Sequence, residues 1–195
     1  MDALPYPALR GEVQLLNASA VLMVLSLLQE RLPVSLEQVR TGLQEVCLAG
    51  RFQVIHCAVP VVLDVTHNAD GARILSQNLG AQTCTGKTLA VVSMLQDKDM
   101  QQVSAILGEQ IDHWYVAGLD VARGCDAIML ATQVRAGLER SHKNLDGIEL
   151  TECHGARDAY GQAIEDAQIG ERIVVFGSFY TVAEVMRAMD NAISC

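Results

Sequence analysis

After Gly50 the chain alternates short β-branched runs with stretches of helical character, and this alternation constrains its fold more than any other feature. Leu89–Leu95 is a continuous apolar run and Arg172–Phe176 is strongly β-branched, as strands covered on both faces require. His113–Ala117 reads as a third strand and Ile148–Thr151 as a weaker one. Residues 69–79, 100–109, 127–138, 156–167 and 180–192 read as the intervening helices. Strands and helices of this length, in this order, predict an α/β fold: a mainly parallel sheet with helices on both faces. Phe52–Cys57 and Val61–Val65, split by a turn at 58–60, are expected to form a hairpin that adds one antiparallel edge strand.

Residues before Gly50 show no such alternation. Leu4-Pro5-Tyr6-Pro7 is an extended entry set by its prolines. Val13, Leu16, Ala20, Leu22, Val24 and Leu27 then predict a helix buried on most of its circumference, ending near Arg31 before Pro33. Ser35 suits an N-cap and Gln38 completes a capping box, so a second helix is expected to run to about Val46. The boundary is set at Ala49-Gly50, giving a helical segment over 1–50 and a sheet domain over 51–195.

Composition excludes several classes. Half of the 195 residues are hydrophobic and 19% are charged, enough to bury a core and to exclude wholesale disorder. A net charge of -9 argues against nucleic acid or an anionic membrane as a partner. The apolar run Ala18–Leu28 is shorter than the roughly 20 residues a bilayer span needs, and no basic leader precedes it. The six cysteines, at 47, 57, 84, 125, 153 and 195, lack paired ligand spacing for zinc and are expected to be small buried side chains in a reducing cytoplasm.

In a sheet of this kind ligands gather at the carboxyl ends of the strands. Three segments put polar residues there: Asp64-Val65-Thr66-His67-Asn68, Gln96-Asp97-Lys98-Asp99 and Gly177-Ser178-Phe179-Tyr180-Thr181. Each alone has a plain alternative, since Asp and Asn cap helices, Gly turns the chain and Lys98 suits solvent. Gly86-Lys87-Thr88 looks like the end of a P-loop. However, position 81 is Ala rather than Gly, and the segment precedes a strand instead of opening a helix, so it is read as an ordinary loop.

Asp64-Val65-Thr66-His67-Asn68, Met94-Leu95-Gln96-Asp97-Lys98-Asp99 and Gly177-Ser178-Phe179-Tyr180-Thr181-Val182-Ala183, together with Leu4-Pro5-Tyr6-Pro7-Ala8-Leu9-Arg10-Gly11, Gln14, Asn17 and Gly50-Arg51-Phe52-Gln53, carry a resemblance in their order and spacing. The chain resembles the C-terminal part of the folylpolyglutamate synthase/dihydrofolate synthase family, related to the Mur ligases. That resemblance implies a Rossmann-like domain preceded by the last helices of a central ATP-binding domain. It implies an ATP- and Mg²⁺-dependent ligase that adds glutamate to dihydropteroate or folate through an acyl phosphate. The P-loop, the metal ligands and most of the pterin pocket would lie in an N-terminal domain absent from these residues, so this chain alone is expected to be inactive. Its start at Met1 fits either a truncated chain or a split gene.

Residue roles also follow from the resemblance. Asn17 would contact adenine, Arg51 the nucleotide phosphates and Asp64 the ribose hydroxyls. His67 would face the phosphates or the acyl phosphate as the catalytic residue. Lys98 and Ser178 would hold the carboxylate of the incoming glutamate. The family's proline after the His-Asn pair is Ala69 here. The alternatives are a surface asparagine, a hinge salt bridge, a helix cap, a structural histidine, and a Lys98 neutralised by Asp97 and Asp99. The expected partners are the N-terminal domain, glutamate and folate. The bare face of the first helix is expected either to pair with a second copy or to fold against the sheet domain. A non-catalytic nucleotide- or amino-acid-binding module is the competing reading, and a Mur-type ligase with another amino acid is a third.

Overall fold

The structure, a computed structural model, describes residues 3–9, 11–141 and 147–193. Arg10 and Cys195, quoted above, lie outside the described residues. The chain divides into two compact units, Met1–Ala49 and Gly50–Cys195.

The first unit holds helices α1 (Glu12–Leu28) and α2 (Leu36–Glu45). The capping box forms: Ser35 Oγ accepts from Gln38 N at 3.2 Å, and Ser35 N donates to Gln38 Oε1 at 2.8 Å. The Gln29 amide pairs with both backbone groups of Val34 across the connection, and Ala8 N donates to Leu43 O. The expected burial of the first helix fails. No residue of α1 or α2 is buried, and Leu16 and Leu27 are 69% and 76% exposed. Two helices and an extended entry are too few elements to cover a 17-residue helix that is apolar nearly all round.

The second unit is a six-stranded sheet in the order β1-β2-β6-β3-β4-β5. The strands are β1 (Gln53–Ile55), β2 (Val61–Leu63), β3 (Thr88–Val92), β4 (His113–Ala117), β5 (Glu149–Cys153) and β6 (Arg172–Phe176). Only β1 runs antiparallel, on β2; every other pair is parallel. The first strand is shorter than expected at both ends. Gly50 and Phe52 take positive φ (69° and 44°), which turns the Phe52 ring into the core before the ladder begins.

Helices α3 (Ala69–Ala81), α4 (Met100–Leu107) and α5 (Ala127–Leu138) cover one face of the sheet; α6 (Ala156–Asp166) and α7 (Phe179–Ile193) cover the other. The period-two alternation of the strands divides the core accordingly. Val92, Trp114 and Phe176 point to the three-helix face, and Val91, Tyr115 and Val175 to the two-helix face. Small residues Ala156, Ala159 and Ala163 let α6 lie close on the sheet. Cys125 and Cys153 are buried as expected. Cys47 and Cys57 are exposed and Cys84 is half-buried, because all three sit in connections that leave one side open.

Candidate functional site at the carboxyl edge of the sheet

The helix after β3 packs on one face of the sheet and the helix after β6 on the other. The crevice between these adjacent strands is therefore a topological switch point, where open α/β sheets bind ligands. With β2 beside β6, the three polar segments end on adjacent strands.

Backbone and hydroxyl contacts bind the three segments to one another. Gly177 N donates to Thr66 O at 2.8 Å. Gly177 has φ 113°, and a Cβ there would stand 2.3 Å from Ser93 O, so only glycine lets these strand ends approach so closely. Thr181 Oγ1 lies 2.6 Å from both Ser93 Oγ and Ser178 Oγ and donates to Ser93 O at 2.8 Å. Ser178 Oγ also accepts from Thr181 N at 3.0 Å, which makes Ser178 the cap of α7. All three hydroxyl side chains are buried.

Asp64 organises the first segment. Its Oδ1 accepts from Thr66 N (2.8 Å) and Thr66 Oγ1 (2.6 Å), and its Oδ2 accepts from Phe52 N (2.9 Å). One oxygen is thus filled and the other retains one acceptor position. The Phe52 bond brings Arg51 to this edge. Its guanidinium lies 6.0 Å from the centroid of the Phe179 ring, at the outer range of a cation–π contact. Arg51 is exposed and forms no ion pair among the described residues. His67 is half-buried, with Nδ1 2.9 Å from Val65 O. A bond to a carbonyl requires the proton on Nδ1, so the neutral ring presents Nε2 as an acceptor. Asn68 caps α3 through Gly71 N, and Asp99 caps α4 through Gln102 N.

Lys98 lies in the loop after β3, directly before the Asp99 cap of α4. Its Nζ is 3.0 Å from Asp97 Oδ2, while Arg123 approaches the other Asp97 oxygen at 3.9 Å. The Lys98 hydrogen bond is the main reason the Asp97 carboxyl is held below its ordinary range. Asp99 is committed to its helix, so of the two flanking aspartates only Asp97 pairs with Lys98. Gln96 fastens the loop through Gly124 O at 2.6 Å.

The structure thus brings Arg51, Asp64, His67, Lys98 and Ser178 to one edge of one sheet. Asn17 belongs to the first unit, where its amide donates to Gln14 Oε1 at 3.1 Å on the wall of a groove between α1 and α2. Sequence reasoning missed Thr66, Ser93 and Thr181. The Asp-x-Thr and Ser-x-x-Thr spacings carried a readable signal for two of them, as a side-chain turn and a cap. Ser93 carried none, because its partner lies 88 residues away.

The comparisons with known proteins bear on this geometry directly. The model of the family described as "Mur ligase, glutamate ligase domain" matches residues 50–179. The chain belongs to this family. It is 35% identical over 159 residues to the dihydrofolate synthase/folylpolyglutamate synthase of Escherichia coli K12, a match covering 82% of this chain and 35% of that protein. Its fold matches E. coli FolC in complex with DHPP and ADP with a TM-score of 0.83 and 31% identity, over 99% of this chain and 42% of that one. A bifunctional folylpolyglutamate synthase/dihydrofolate synthase with Mn, AMPPNP and L-glutamate bound matches with a TM-score of 0.80 and 38% identity, over 97% of this chain and 42% of that one. The chain therefore spans about two-fifths of the length of these relatives.

Proposed function

We propose that this chain supplies the C-terminal part of an ATP-dependent ligase that joins glutamate to dihydropteroate or a folate. The observation that carries the reading is the gathering of Arg51, Asp64, His67, Lys98 and Ser178 around the switch-point crevice. Residues 1–50 then correspond to the last helices of the central ATP-binding domain, and their uncovered apolar face suits a covering domain. The setting we propose is cytoplasmic. Among the described residues no helix is long and apolar enough to cross a membrane.

Each side chain has a role matched to its chemistry. The unpaired Arg51 fork suits phosphate oxygens. The open acceptor position on Asp64 Oδ2 suits one ribose hydroxyl, the other positions being taken by the fold. Asn17 can both donate to and accept from an adenine edge. ATP, when bound, supplies the phosphoryl group that activates the folate carboxylate. His67 Nε2 is free to meet the transferred phosphoryl group or the amine that attacks it. Lys98 offsets the glutamate carboxylate in an acidic protein, with Asp97 holding the ammonium until the substrate competes for it. Ser178 acts through its cap: its hydroxyl is spent on Thr181, and the cap aims the first α7 amides, those of Phe179 and Tyr180, at the same carboxylate. No three His, Cys, Asp or Glu gather as a metal-ligand set among the described residues. By the family resemblance the ligands of a catalytic Mg²⁺ are assigned to the N-terminal domain, and the chain by itself is expected not to hydrolyse ATP.

Steady-state kinetics of the complete enzyme test this reading. Lys98→Ala raises the Michaelis constant for glutamate by roughly 10- to 150-fold, as loss of a charged hydrogen bond implies, and that for ATP far less. His67→Ala lowers turnover more than ATP affinity. Equal effects on both substrates, or none, would remove these residues from the site. Glutamate-dependent phosphate release by this chain alone would overturn the division of labour between the domains.

A further inference from the structure

The amino-terminal edge of the sheet, at the other end of the strands from the crevice, holds a separate cavity of about 290 Å³. Its walls include Cys57 from the β1–β2 turn, Thr83, Cys84 and Thr85 from the loop after α3, and Arg172 at the start of β6. Arg172 is only 6% exposed. Its Nε donates to Thr88 Oγ1 at 3.0 Å and its Nη1 to Leu79 O at 2.7 Å, with longer contacts of 3.5 Å to the Gln82 backbone and side-chain oxygens. These bonds cap the carboxyl end of α3, where the helix dipole favours a cation.

They occupy two of the three guanidinium nitrogens. Nη2 donates to none of the described residues, yet it is not sealed away. The only fully enclosed side-chain nitrogen or oxygen without a partner among them is Trp114 Nε1. Nη2 therefore keeps some accessible surface, and Arg172 lines the cavity. No carboxylate pairs with Arg172 among the described residues. Glu171, also on the cavity wall, has its Oε2 committed to Gln168 N at 2.8 Å. Burial works against the charged guanidinium, and Cys84 and Asp112 offset part of that effect. An anion entering the cavity would offset more.

We propose that this cavity binds a phosphate-class oxyanion, with Arg172 Nη2 at its base and the hydroxyls of Thr83 and Thr85 at its mouth. A guanidinium edge matches oxyanion geometry, and the neighbouring threonine hydroxyls are neutral donors, that of Thr85 in exchange for its long 3.4 Å bond to Gly170 O. The volume is at the small end for ligand sites, which suits free phosphate or a small phosphomonoester rather than a nucleotide. The site does not depend on the ligase reading.

Cys57 and Cys84 lie on the cavity wall, so alkylation reports its occupancy; the exposed Cys47 of the other unit serves as an internal control. The intact chain is treated with iodoacetamide in inorganic phosphate, in glycerol phosphate or in sodium chloride at matched ionic strength, and labelling of each cysteine is followed by peptide mass spectrometry. At ten times the dissociation constant, alkylation of Cys84 slows about tenfold. Protection by inorganic phosphate alone identifies the free ion as the ligand, and protection by glycerol phosphate identifies a phosphorylated metabolite. No protection, equal slowing in sodium chloride, or equal slowing of Cys47 overturns the site. Because Arg172 also caps α3, the confirming variant is Thr85→Glu, whose tethered carboxylate competes for the cavity and abolishes the protection. Protection that survives in this variant overturns the location.

Discussion

Residues 3–49 and residues 50–193 make opposite use of apolar side chains. The sheet unit seals its two cores, with Trp114, Tyr115 and Phe176 fully buried. The helical unit has well-made local structure, with a complete capping box, and buries no residue of either helix. Capping contributes on the order of 1 kcal/mol, whereas burying one large side chain contributes roughly 1.5–3 kcal/mol. The sheet unit therefore has the means to hold its own fold, whereas the helical unit has little burial to draw on. The crevice residues sit on the self-sufficient side of this division, which is where a site that must hold atoms to fractions of an ångström belongs.

The sharpest way to break this contrast is to open the core. Trp114→Ala, at the only tryptophan, should cost the sheet unit about 3–5 kcal/mol in urea unfolding followed by circular dichroism. Leu25→Ala in α1 should leave the sheet-unit transition within about 0.5 kcal/mol of the parent. Comparable losses would mean that the two units share one cooperative core.

Gly177→Ala tests the crevice itself. The positive φ alone should cost about 1–3 kcal/mol, and the clash with Ser93 O adds to it. A variant of unchanged stability would show that the strand ends are less tightly joined than described. Thr181→Val removes the hydroxyl shared by Ser93 and Ser178 and should cost about 1–3 kcal/mol.

These variants also mark how much was readable in advance. The strands at 113–117 and 172–176 and the helix at 127–138 are legible because their apolar pattern is set by burial on both faces, a property local in sequence. The three polar segments were legible as strand ends for the same reason. The burial state of α1 was not, because an apolar helix looks alike whether it is covered or bare. The Ser93–Thr181–Ser178 cluster was only half legible, since the cap is local and the link to Ser93 is made by the parallel pairing of β3 with β6. The bond from Phe52 N to Asp64 was hidden by the left-handed turn at Phe52, which no local pattern announces.

Acid should act mainly on the sheet unit. Burial lowers the pKa of His113, which also contacts Thr151 and stacks on Tyr115. Its folded pKa is below the unfolded value near 6.5, so the unfolded chain takes up the proton first and stability falls as pH drops through that value. Urea midpoints should therefore decline from pH 7 to pH 5.5, and His113→Asn should flatten the decline; an unaltered slope would assign it to other groups. The smallest effect belongs to the helical unit. Ser35→Ala should speed amide exchange over Leu36–Glu45, by a loss of about 1 kcal/mol, and leave the sheet amides untouched.

The most direct test of the central claim is a titration of the intact, isotopically labelled chain with Mg²⁺–AMPPNP and then L-glutamate, read residue by residue by nuclear magnetic resonance. The account predicts that backbone amides at 64–68, 93–98 and 177–181 shift together with ligand concentration, while those at 83–86 on the opposite edge of the sheet stay in place. Shifts confined to other surfaces, or none at the carboxyl edge with ligand at millimolar concentration, would contradict it.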